Sequence, residues 1–422
     1  MEINQRMSKR FGWLLGVVVL VSIGVLVACG SKYNSSSDGL VLVGSQGSGL
    51  IETFSFNLGS GSASAVSNSP GDTSGKTCVL NGIPSSLVMD PKGTYAYAII
   101  NANSSCPGSA TGILALKVNS GGTTTAAGSL ISDPNPVAMA MDAAGKFLFV
   151  AEGVGGGVSV YSIGSGATLT AVPGTFTFPP TPMVPNFVAL AATPTVFPAI
   201  GVNGVQNAVC STVGLNPPTS EFLYVVDSEN NVVWEFGVDT STGALGNPGI
   251  MTAVPSFSTD KVPAGIAVDP CDRFVYVSDS LTDQVSAYTI CTAVSPTCPL
   301  ADGSLVPVAG SPFALSGTPN GPGPLVVDPY GKFVYVLGNL SNTINPLRIS
   351  PVSGSLAPLS PATVATGSRP TAIAIRGDDN WLFVTNFNSA SVSQYAITPA
   401  TGALTVGQAI QTDNYPWGVA VK

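Results

Sequence analysis

The sequence has no histidine, and only 9% of its 422 residues are charged. Histidine is the side chain that most often moves protons at neutral pH, so its absence excludes Ser-His-Asp and Cys-His catalytic arrangements. No Cys-x-x-Cys pair is present either, and we predict no metal and no other cofactor. The formal net charge of −8 argues against a nucleic acid partner.

Long amphipathic helical patterns are missing after residue 30, whereas residues that form turns and strands are abundant. The chain contains 48 glycines and 34 prolines, and 45% of its residues are apolar. This composition is typical of a turn-rich β-protein that can bury a large core.

One phrase recurs seven times and is the strongest signal in the sequence. Each copy has a proline-led apolar strand, a short turn that often holds Asp and Gly, and a second strand with an aromatic near its start. Five copies are continuous and begin at Ile83, Asn135, Val262, Gly323 and Arg369. The sixth is split between residues 184–191 and the strand from Glu221. The seventh is split across the two ends of the chain: YPWGVAVK at the C-terminus supplies its first strand, and LVLVGSQGSG near Leu40 supplies its second.

The copies recur at a spacing of roughly 50 residues, which is typical of propeller blades. Patterns such as VSAYTI at Val285 and TPATGALTV at Thr398 add a third strand and the turn into a fourth, outer strand. We therefore predict an all-β fold, a seven-bladed β-propeller with four-stranded antiparallel blades over residues 40–422. The N- and C-terminal strands share one blade, and a Pro-rich insertion spans about residues 179–218.

Two details of the repeat give specific expectations. The Asp that follows the inner strand is expected to cap its own turn, on the opposite face of the ring from the inner-strand starts, and not to act in catalysis. Pro346 lies inside a third strand, where it cannot donate a ladder hydrogen bond, so we expect a bulge or a shortened strand there. The turn residues concerned are Asp90, Asp142, Asp269 and Asp328.

The first 28 residues have the pattern of a lipoprotein signal peptide. Arg6, Lys9 and Arg10 form a basic segment, an apolar run follows, and Leu-Val-Ala-Cys ends at Cys29. We predict that Cys29 carries lipid and that residues 29–39 form a flexible tether to a membrane. The protein would then be an exported bacterial lipoprotein, facing the periplasm or the cell surface, with the outer membrane favoured. The alternative is an uncleaved membrane helix.

Six cysteines remain besides Cys29, an even number that suits disulfides in an exported chain. Several pairings are possible, and proximity in the sequence favours Cys78 with Cys106, Cys210 with Cys271, and Cys291 with Cys298.

The strand phrases FVYVSDSLTDQVSAYTI and WLFVTNFNSASVSQYAI, each preceded by a Pro-led strand, resemble the YVTN-type repeat. They are similar to the lactonase-like seven-bladed propellers, which include the propeller-type 6-phosphogluconolactonases. The resemblance covers nearly all of residues 40–422. It is specific for the fold and less so for function, because propellers are scaffolds for many activities.

The resemblance implies that several repeats begin with a His-Pro pair whose imidazole lines the entrance of the central channel. The residues that precede the prolines in this sequence are instead Ile83, Asn135, Val184, Val262, Gly323, Arg369 and Tyr415. The resemblance therefore implies a lactone hydrolase by fold, while the residues that would carry the reaction are not kept.

The repeat alignment gathers polar and aromatic residues at the entrance, where a shallow funnel could hold a sugar or a peptide. The simpler interpretation is that these residues satisfy backbone groups and that Arg369 is a solvated rim residue. A phosphorylated sugar acid would need more cations than Arg369 provides. The predicted ligand-binding set is Asn135, Asn186, Asn320, Arg369, Asn414, Tyr415 and Trp417.

Two functions of different classes follow. The first is a lipid-anchored binding module of the cell envelope that holds a protein or a glycan. The alternative is a lactonase-like hydrolase in which a carboxylate and Arg369 replace the missing imidazole. The absence of histidine favours the first, so we lean towards a role without catalysis; the sequence does not indicate an oligomeric state.

Overall fold

The computed structural model describes residues 38–66, 82–103, 108–173, 176–177, 186–193, 221–246, 250–253, 262–291, 294–296, 298, 303–317 and 320–422. Over these ranges the regular secondary structure consists of 33 β-strands and two three-residue 3-10 helices, joined by turns. The predicted signal peptide, Cys29 and nearly all of the tether lie outside the described residues, as do Cys78, Cys106 and Cys210.

The strands, named β1 to β33 along the chain, form seven antiparallel sheets, which we call blades. Blade 7 takes both chain ends, and its N-terminal part consists of β1 (Asp38–Ser45), β2 (Leu50–Asn57) and β3 (Ala63–Ala65). Blade 1 contains β4 (Ile83–Met89), β5 (Tyr95–Asn101), β6 (Gly112–Val118), β7 (Thr124–Ala126) and β8 (Ile131–Ser132). Blade 2 contains β9 (Pro136–Met141), β10 (Phe147–Glu152), β11 (Gly157–Ile163), β12 (Leu169–Ala171) and β13 (Phe176–Thr177).

The remaining blades follow in chain order. Blade 3 contains β14 (Phe187–Ala192), β15 (Glu221–Asp227), β16 (Val232–Val238) and β17 (Ile250–Ala253). Blade 4 contains β18 (Pro263–Val268), β19 (Phe274–Asp279), β20 (Gln284–Ile290), β21 (Leu305–Pro307) and β22 (Phe313–Ala314). Blade 5 contains β23 (Pro322–Val327), β24 (Phe333–Gly338), β25 (Thr343–Ile349), β26 (Leu356–Pro358) and β27 (Val364–Ala365). Blade 6 contains β28 (Pro370–Ile375), β29 (Trp381–Asn386), β30 (Ser391–Thr398), β31 (Ala403–Val406) and β32 (Ile410–Gln411), and β33 (Pro416–Val421) returns to blade 7.

The ring closes as the sequence predicts. Inner strands of neighbouring blades contact one another in the order β4, β9, β14, β18, β23, β28, β33 and back to β4. β33 pairs with β1, from Val421 opposite Val41 to Pro416 opposite Ser45. The seven-bladed propeller with a blade shared by both chain ends is confirmed. In five blades a two-residue strand also pairs with the third strand beside the fourth.

The second strand of each blade supplies the core, because its side chains alternate between two neighbouring blades. In β19, Phe274 and Tyr276 pack in the cluster with blade 5, whereas Val275 and Val277 pack in the cluster with blade 3. These side chains are almost fully buried. Burial on both sides explains why the second strands are mostly apolar, with polar residues chiefly at their ends.

The Asp turns at the ends of the inner strands are structural, as expected. Oδ1 of Asp328 accepts hydrogen bonds from the backbone nitrogens of Lys332 and Phe333, both at 2.6 Å. Asp90 and Asp142 bind their turns in the same way. We call the side of the ring that carries these turns the base face.

One expectation about an irregular segment is wrong. The strand with Pro346 is neither bulged nor shortened, because β25 pairs with β24 without a break in register, with Pro346 opposite Tyr335. Strand β26 begins pairing at Leu347, so the missing N–H of Pro346 points to an outer edge that needs no ladder donor there. The split sixth copy is as predicted: its inner strand, expected at residues 184–191, is β14 (Phe187–Ala192), which pairs with β15 from Glu221.

Candidate functional site

The entrance face is the side of the ring that carries the inner-strand starts and the turns between second and third strands. Strand register identifies each start, because the first inner residue lies opposite the last residue of the second strand, as Pro370 lies opposite Asn386. Blade 5 has two prolines at the start of its inner strand, Pro322 and Pro324, and it is Pro322 that lies opposite Gly338, the last residue of the second strand. The register therefore corrects two predicted positions, replacing Val184 and Gly323 with Asn186 and Gly321. Ile83 keeps its predicted position, because Pro84 lies opposite Ile100, five residues after Tyr95, just as Asn386 follows Trp381 by five.

In blades 4 to 7 the residue before the inner strand has a left-handed backbone, with φ of 46° at Val262, 53° at Gly321, 54° at Arg369 and 62° at Tyr415. Three of these are not glycine, so the conformation is strained and must be imposed by the surroundings. At Arg369 the backbone nitrogen donates to Oδ1 of Asn342 at 2.6 Å, and the carbonyl accepts from the Phe387 nitrogen at 2.9 Å. Such strain often marks a functional site.

The strained residues of blades 6 and 7 belong to one aromatic cluster, formed by Arg369, Phe387, Tyr415 and Trp417. The Arg369 guanidinium lies 4.4 Å from the centre of the Phe387 ring. On the same ring, Tyr415 stacks at 4.8 Å and Trp417 makes an edge contact at 5.5 Å. Arg369 and Tyr415 are exposed, whereas Phe387 and Trp417 are half-buried.

Phe387 is the centre of this cluster and is not among the residues predicted from the sequence. It occupies the first position after the second strand, in the turn of the entrance face. The corresponding residues of blades 3, 4 and 5 are Ser228, Ser280 and Asn339. A large aromatic where other repeats have a small polar residue was the signal in the sequence.

The other predicted ligand-binding residues do not join the cluster. Asn320 is fully buried, and its side chain donates to Ser316 and accepts from Ser341 and Asn345. Its place in the predicted set is therefore a correction: a buried, hydrogen-bonded amide cannot contact a ligand.

Asn135 and Asn186 have local duties in other blades. The amide of Asn135 donates to the Val154 carbonyl at 3.3 Å, and that of Asn186 to the Ser228 hydroxyl at 3.1 Å. Asn414 neighbours Tyr415, is exposed, and accepts from the Gly47 nitrogen through its carbonyl at 3.0 Å. The simpler interpretation from the sequence describes these three better than it describes Arg369 and Tyr415.

One carboxylate is tied to the loop that carries Tyr415. Both side-chain oxygens of Glu52, on β2, accept a hydrogen bond from the Asp413 nitrogen at 3.1 Å, and Oε2 accepts from the Ser45 hydroxyl. Burial raises the pKa of Glu52, the two hydrogen bonds oppose the rise, and the charge of Asp413 adds to it. A carboxylate with a raised pKa is a stronger base and can accept a proton from water.

A pair of carboxyl groups, Glu152 and Asp133, lies on the entrance face between blades 1 and 2. Burial raises the pKa of Glu152 to about 7, and Asp133 adds to the rise while the Ser159 hydroxyl, 2.8 Å away, opposes it. Asp133 is 1% exposed and accepts from the Tyr161 hydroxyl at 2.9 Å. This pair belongs to different blades from the aromatic cluster.

The remaining observations concern the cysteines, metal ligands and membrane-spanning helices. Cys291 and Cys298 form the predicted disulfide, with a Cα–Cα distance of 5.3 Å. Cys271 is also disulfide-bonded, and its predicted partner lies outside the described residues. Within those residues, no three His, Cys, Asp or Glu side chains are grouped to hold a metal ion. In the same part of the chain, no helix has the length and apolarity needed to cross a bilayer.

Comparisons of sequence relate the chain to lactonases. A 6-phosphogluconolactonase of Pectobacterium carotovorum is 25% identical over 284 residues, which cover 62% of this chain and 81% of that protein. A 6-phosphogluconolactonase of Pectobacterium atrosepticum is 26% identical over 159 residues, or 37% of this chain and 43% of that protein.

Comparisons of structure give the same fold. The periplasmic gluconolactonase of Pseudomonas aeruginosa matches with a TM-score of 0.67 at 17% identity, covering 91% of this chain and 99% of that one. A family model described as "Lactonase, 7-bladed beta-propeller" matches residues 72–182, 215–296 and 301–421. Since these ranges include most of the ring, the chain belongs to the family of lactonase-type seven-bladed β-propellers.

Proposed function

We propose that this protein hydrolyses a sugar lactone at the aromatic cluster of its entrance face. Membership of the lactonase family supports the reaction class. The observation that carries the assignment of the site is the exposed Arg369 guanidinium, fixed 4.4 Å from the Phe387 ring beside the exposed Tyr415. Aromatic faces can pack on the C–H face of a sugar ring, and a guanidinium can donate to a carbonyl oxygen.

The reaction needs a base and a group that stabilises negative charge. Glu52, which is hydrogen-bonded to the loop of Tyr415, is the candidate general base. It takes a proton from water while the water oxygen bonds to the lactone carbonyl carbon. Arg369 stabilises the negative charge that develops on the carbonyl oxygen. The ring C–O bond then breaks, the ring oxygen receives the proton, and a hydroxy acid is released.

The test is hydrolysis of a panel of sugar lactones by the purified full-length protein. We expect Arg369→Ala to lower kcat/KM by about 100-fold, the loss typical of one donor to the developing oxyanion. The matched control is Arg348→Ala on the base face, where the guanidinium lies 5.1 Å from the Phe333 ring. Turnover that is equal in Arg369→Ala, Arg348→Ala and the wild type would refute the site.

A binding role without catalysis is the second candidate, and one observation favours it. Within the described residues Arg369 forms no ion pair, and the chain has no histidine, so the cluster could hold a glycan and leave it unchanged. Calorimetry with oligosaccharides and lactones separates the two candidates. Binding that is lost in Phe387→Ala, in the absence of any turnover, would support the binding module.

We also propose that the ring is anchored to a bacterial envelope membrane through lipid on Cys29. The basic segment, apolar run and Leu-Val-Ala-Cys sequence support this location, with the outer membrane favoured. Cell fractionation of Cys29→Ser tests the anchor, because loss of the lipid should move the protein from the membrane to the soluble fraction. Unchanged membrane association would contradict it and favour the uncleaved helix.

A further inference from the structure

The charged residues are divided unevenly between the two faces of the ring. Inner and third strands run from the entrance to the base, and second and fourth strands run back, so the position of a residue in its strand determines its face. Among the described residues of the entrance face, Arg369 is the only cation. The carboxylates of that face are Glu52, Asp133, Glu152, Asp227, Glu229, Asp279, Asp283 and Asp413.

The base face, by contrast, carries cations beside its carboxylates. Arg273 pairs with Asp269 at 2.7 Å, and Arg376 pairs with Asp378. The remaining cations lie outside the described residues: Arg6, Lys9, Arg10, Lys32, Lys76 and Lys261. The base cations are Lys92, Lys117, Lys146, Arg273, Lys332, Arg348, Arg376 and Lys422.

This distribution is unsuited to a phosphorylated substrate. A phosphate monoester carries roughly −1.5 to −2 charges at pH 7 and is usually bound by several cations or by a helix N-terminus. The entrance face offers one guanidinium, part of which is covered by Phe387, and an excess of acidic residues around it. Two of these acidic residues, Glu229 and Asp413, are exposed at the rim of the entrance face.

We propose that the substrate is an uncharged sugar lactone without phosphate, and that the acidic entrance face discriminates against phosphorylated lactones. This inference rests on the proposed lactone hydrolysis. The Phe387 and Tyr415 rings contact the apolar face of the sugar, and Arg369 is left for the lactone carbonyl. The product is a carboxylate, so the same acidic face favours its release.

The test compares a sugar δ-lactone with its 6-phosphorylated counterpart on the full-length protein. We expect kcat/KM to be at least about tenfold higher for the uncharged lactone at low salt. Added salt should raise the value for the phosphorylated lactone and leave that for the uncharged one unchanged, because salt screens the repulsion. Leu340→Lys adds a cation at the entrance, and Val352→Lys adds one at the base; these residues are 68% and 86% exposed. Only Leu340→Lys should improve turnover of the phosphorylated lactone.

The outcomes separate the two proposals. Equal or faster turnover of the phosphorylated lactone would overturn the substrate assignment and leave lactone hydrolysis standing. If Leu340→Lys and Val352→Lys change turnover of the phosphorylated lactone equally, the electrostatic explanation is overturned. Hydrolysis of neither lactone would overturn the proposed function, and the substrate assignment with it.

Discussion

The entrance and base faces are built from the same repeat, yet they treat aromatic side chains in opposite ways. On the base face Phe274 is 4% exposed, and a Cβ added to Gly354 of the next blade would stand 2.5 Å from its ring. On the entrance face Phe387 is half-buried and Tyr415 is 48% exposed. One face uses aromatics to join blades, and the other presents them to solvent.

The backbone differs in the same sense. Most left-handed positions next to the base aromatics are glycines, such as Gly354 and Gly402, which adopt positive φ without strain. Ala167 of blade 2, with φ of 64°, is an exception. On the entrance face Arg369 and Tyr415 adopt it at a cost. The difference teaches that the base joins its blades through buried aromatics, whereas the entrance combines strained backbone with exposed side chains at the proposed site.

The largest effect is expected from Gly354→Ala. The new Cβ would meet the Phe274 ring at 2.5 Å, and alanine is disfavoured at φ of 73°. Together these should lower the free energy of unfolding by about 3 kcal/mol, measured by chemical denaturation. Lactone kinetics of the folded protein should not change, since the glycine lies on the base face.

The matched control is Gly166→Ala in the corresponding turn of blade 2. Gly166 has φ of 68°, and nothing lies within 4 Å of an added Cβ. It should therefore lose only the backbone contribution, about 1 kcal/mol. Equal losses at Gly166 and Gly354 would mean that contact with the aromatic does not stabilise the base.

A second prediction concerns an exception on the base face, the buried Asp379. It is fully buried at φ of 58°, and neither carboxylate oxygen has a hydrogen-bond partner. Burial raises its pKa to about 8, and the neighbouring Asp328 contributes, while Lys332 opposes the rise. Its contribution to stability is fully present below its unfolded pKa, near 4, and is lost as the pH rises to about 8.

Asp379→Gly should therefore stabilise the protein by roughly 2 kcal/mol at pH 9, and by much less at pH 5. Glycine stands at this turn position in blades 1, 2 and 5, at Gly93, Gly145 and Gly331. Asp379→Asn tests the charge separately from the backbone strain. The free energy of unfolding of both variants is measured by chemical denaturation from pH 5 to 9. A gain in stability that does not depend on pH in either variant would contradict the assigned titration.

Much of the fold could be predicted from the sequence, because the pattern of each blade is local. The Asp turns and the pairing of β1 with β33 follow from short phrases that repeat. Pro346 was misjudged because tolerance of a proline depends on which side of the strand its missing N–H faces. That side depends on where the outer strands begin, which the repeat does not encode.

The site was predictable only in part. Arg369, Tyr415 and Trp417 were placed on the correct face, but Phe387 comes from the turn of another strand pair and unites them. Asn320 occupies an equally promising position in the sequence, and its burial depends on neighbouring blade contacts. Exposure at a strand end is a tertiary property, which a single repeat cannot reveal.

The third prediction tests the entrance directly with Phe387→Ala. Loss of the ring should raise KM for the lactone about tenfold and change the stability by less than about 1 kcal/mol, because the ring is half-buried. Tyr330→Ala is the control, since Lys332 lies 5.0 Å from the Tyr330 ring on the base face. A rise in KM with Tyr330→Ala would show that the faces are not functionally distinct.

The smallest effect is expected from Asn342→Gly, which removes the acceptor that holds Arg369. Oδ1 of Asn342 accepts from the Arg369 nitrogen at 2.6 Å, and glycine can keep its φ of 56° without strain. The loss of one hydrogen bond should cost about 1 kcal/mol of stability. Since Arg369 would then leave its strained conformation, KM should rise about threefold with little change in kcat.

Asn231→Gly is the matched control, because Asn231 also has φ of 56° and its Oδ1 accepts from the Val262 nitrogen at 2.9 Å. Both variants lose the same kind of hydrogen bond in the equivalent entrance-face turn of two different blades. Both should therefore lose the same free energy of unfolding. Only Asn342 holds a residue of the aromatic cluster, so only its variant should change KM. If both variants change KM equally, the change in KM does not depend on the position of Arg369, and the strained backbone before each inner strand serves only to join blades.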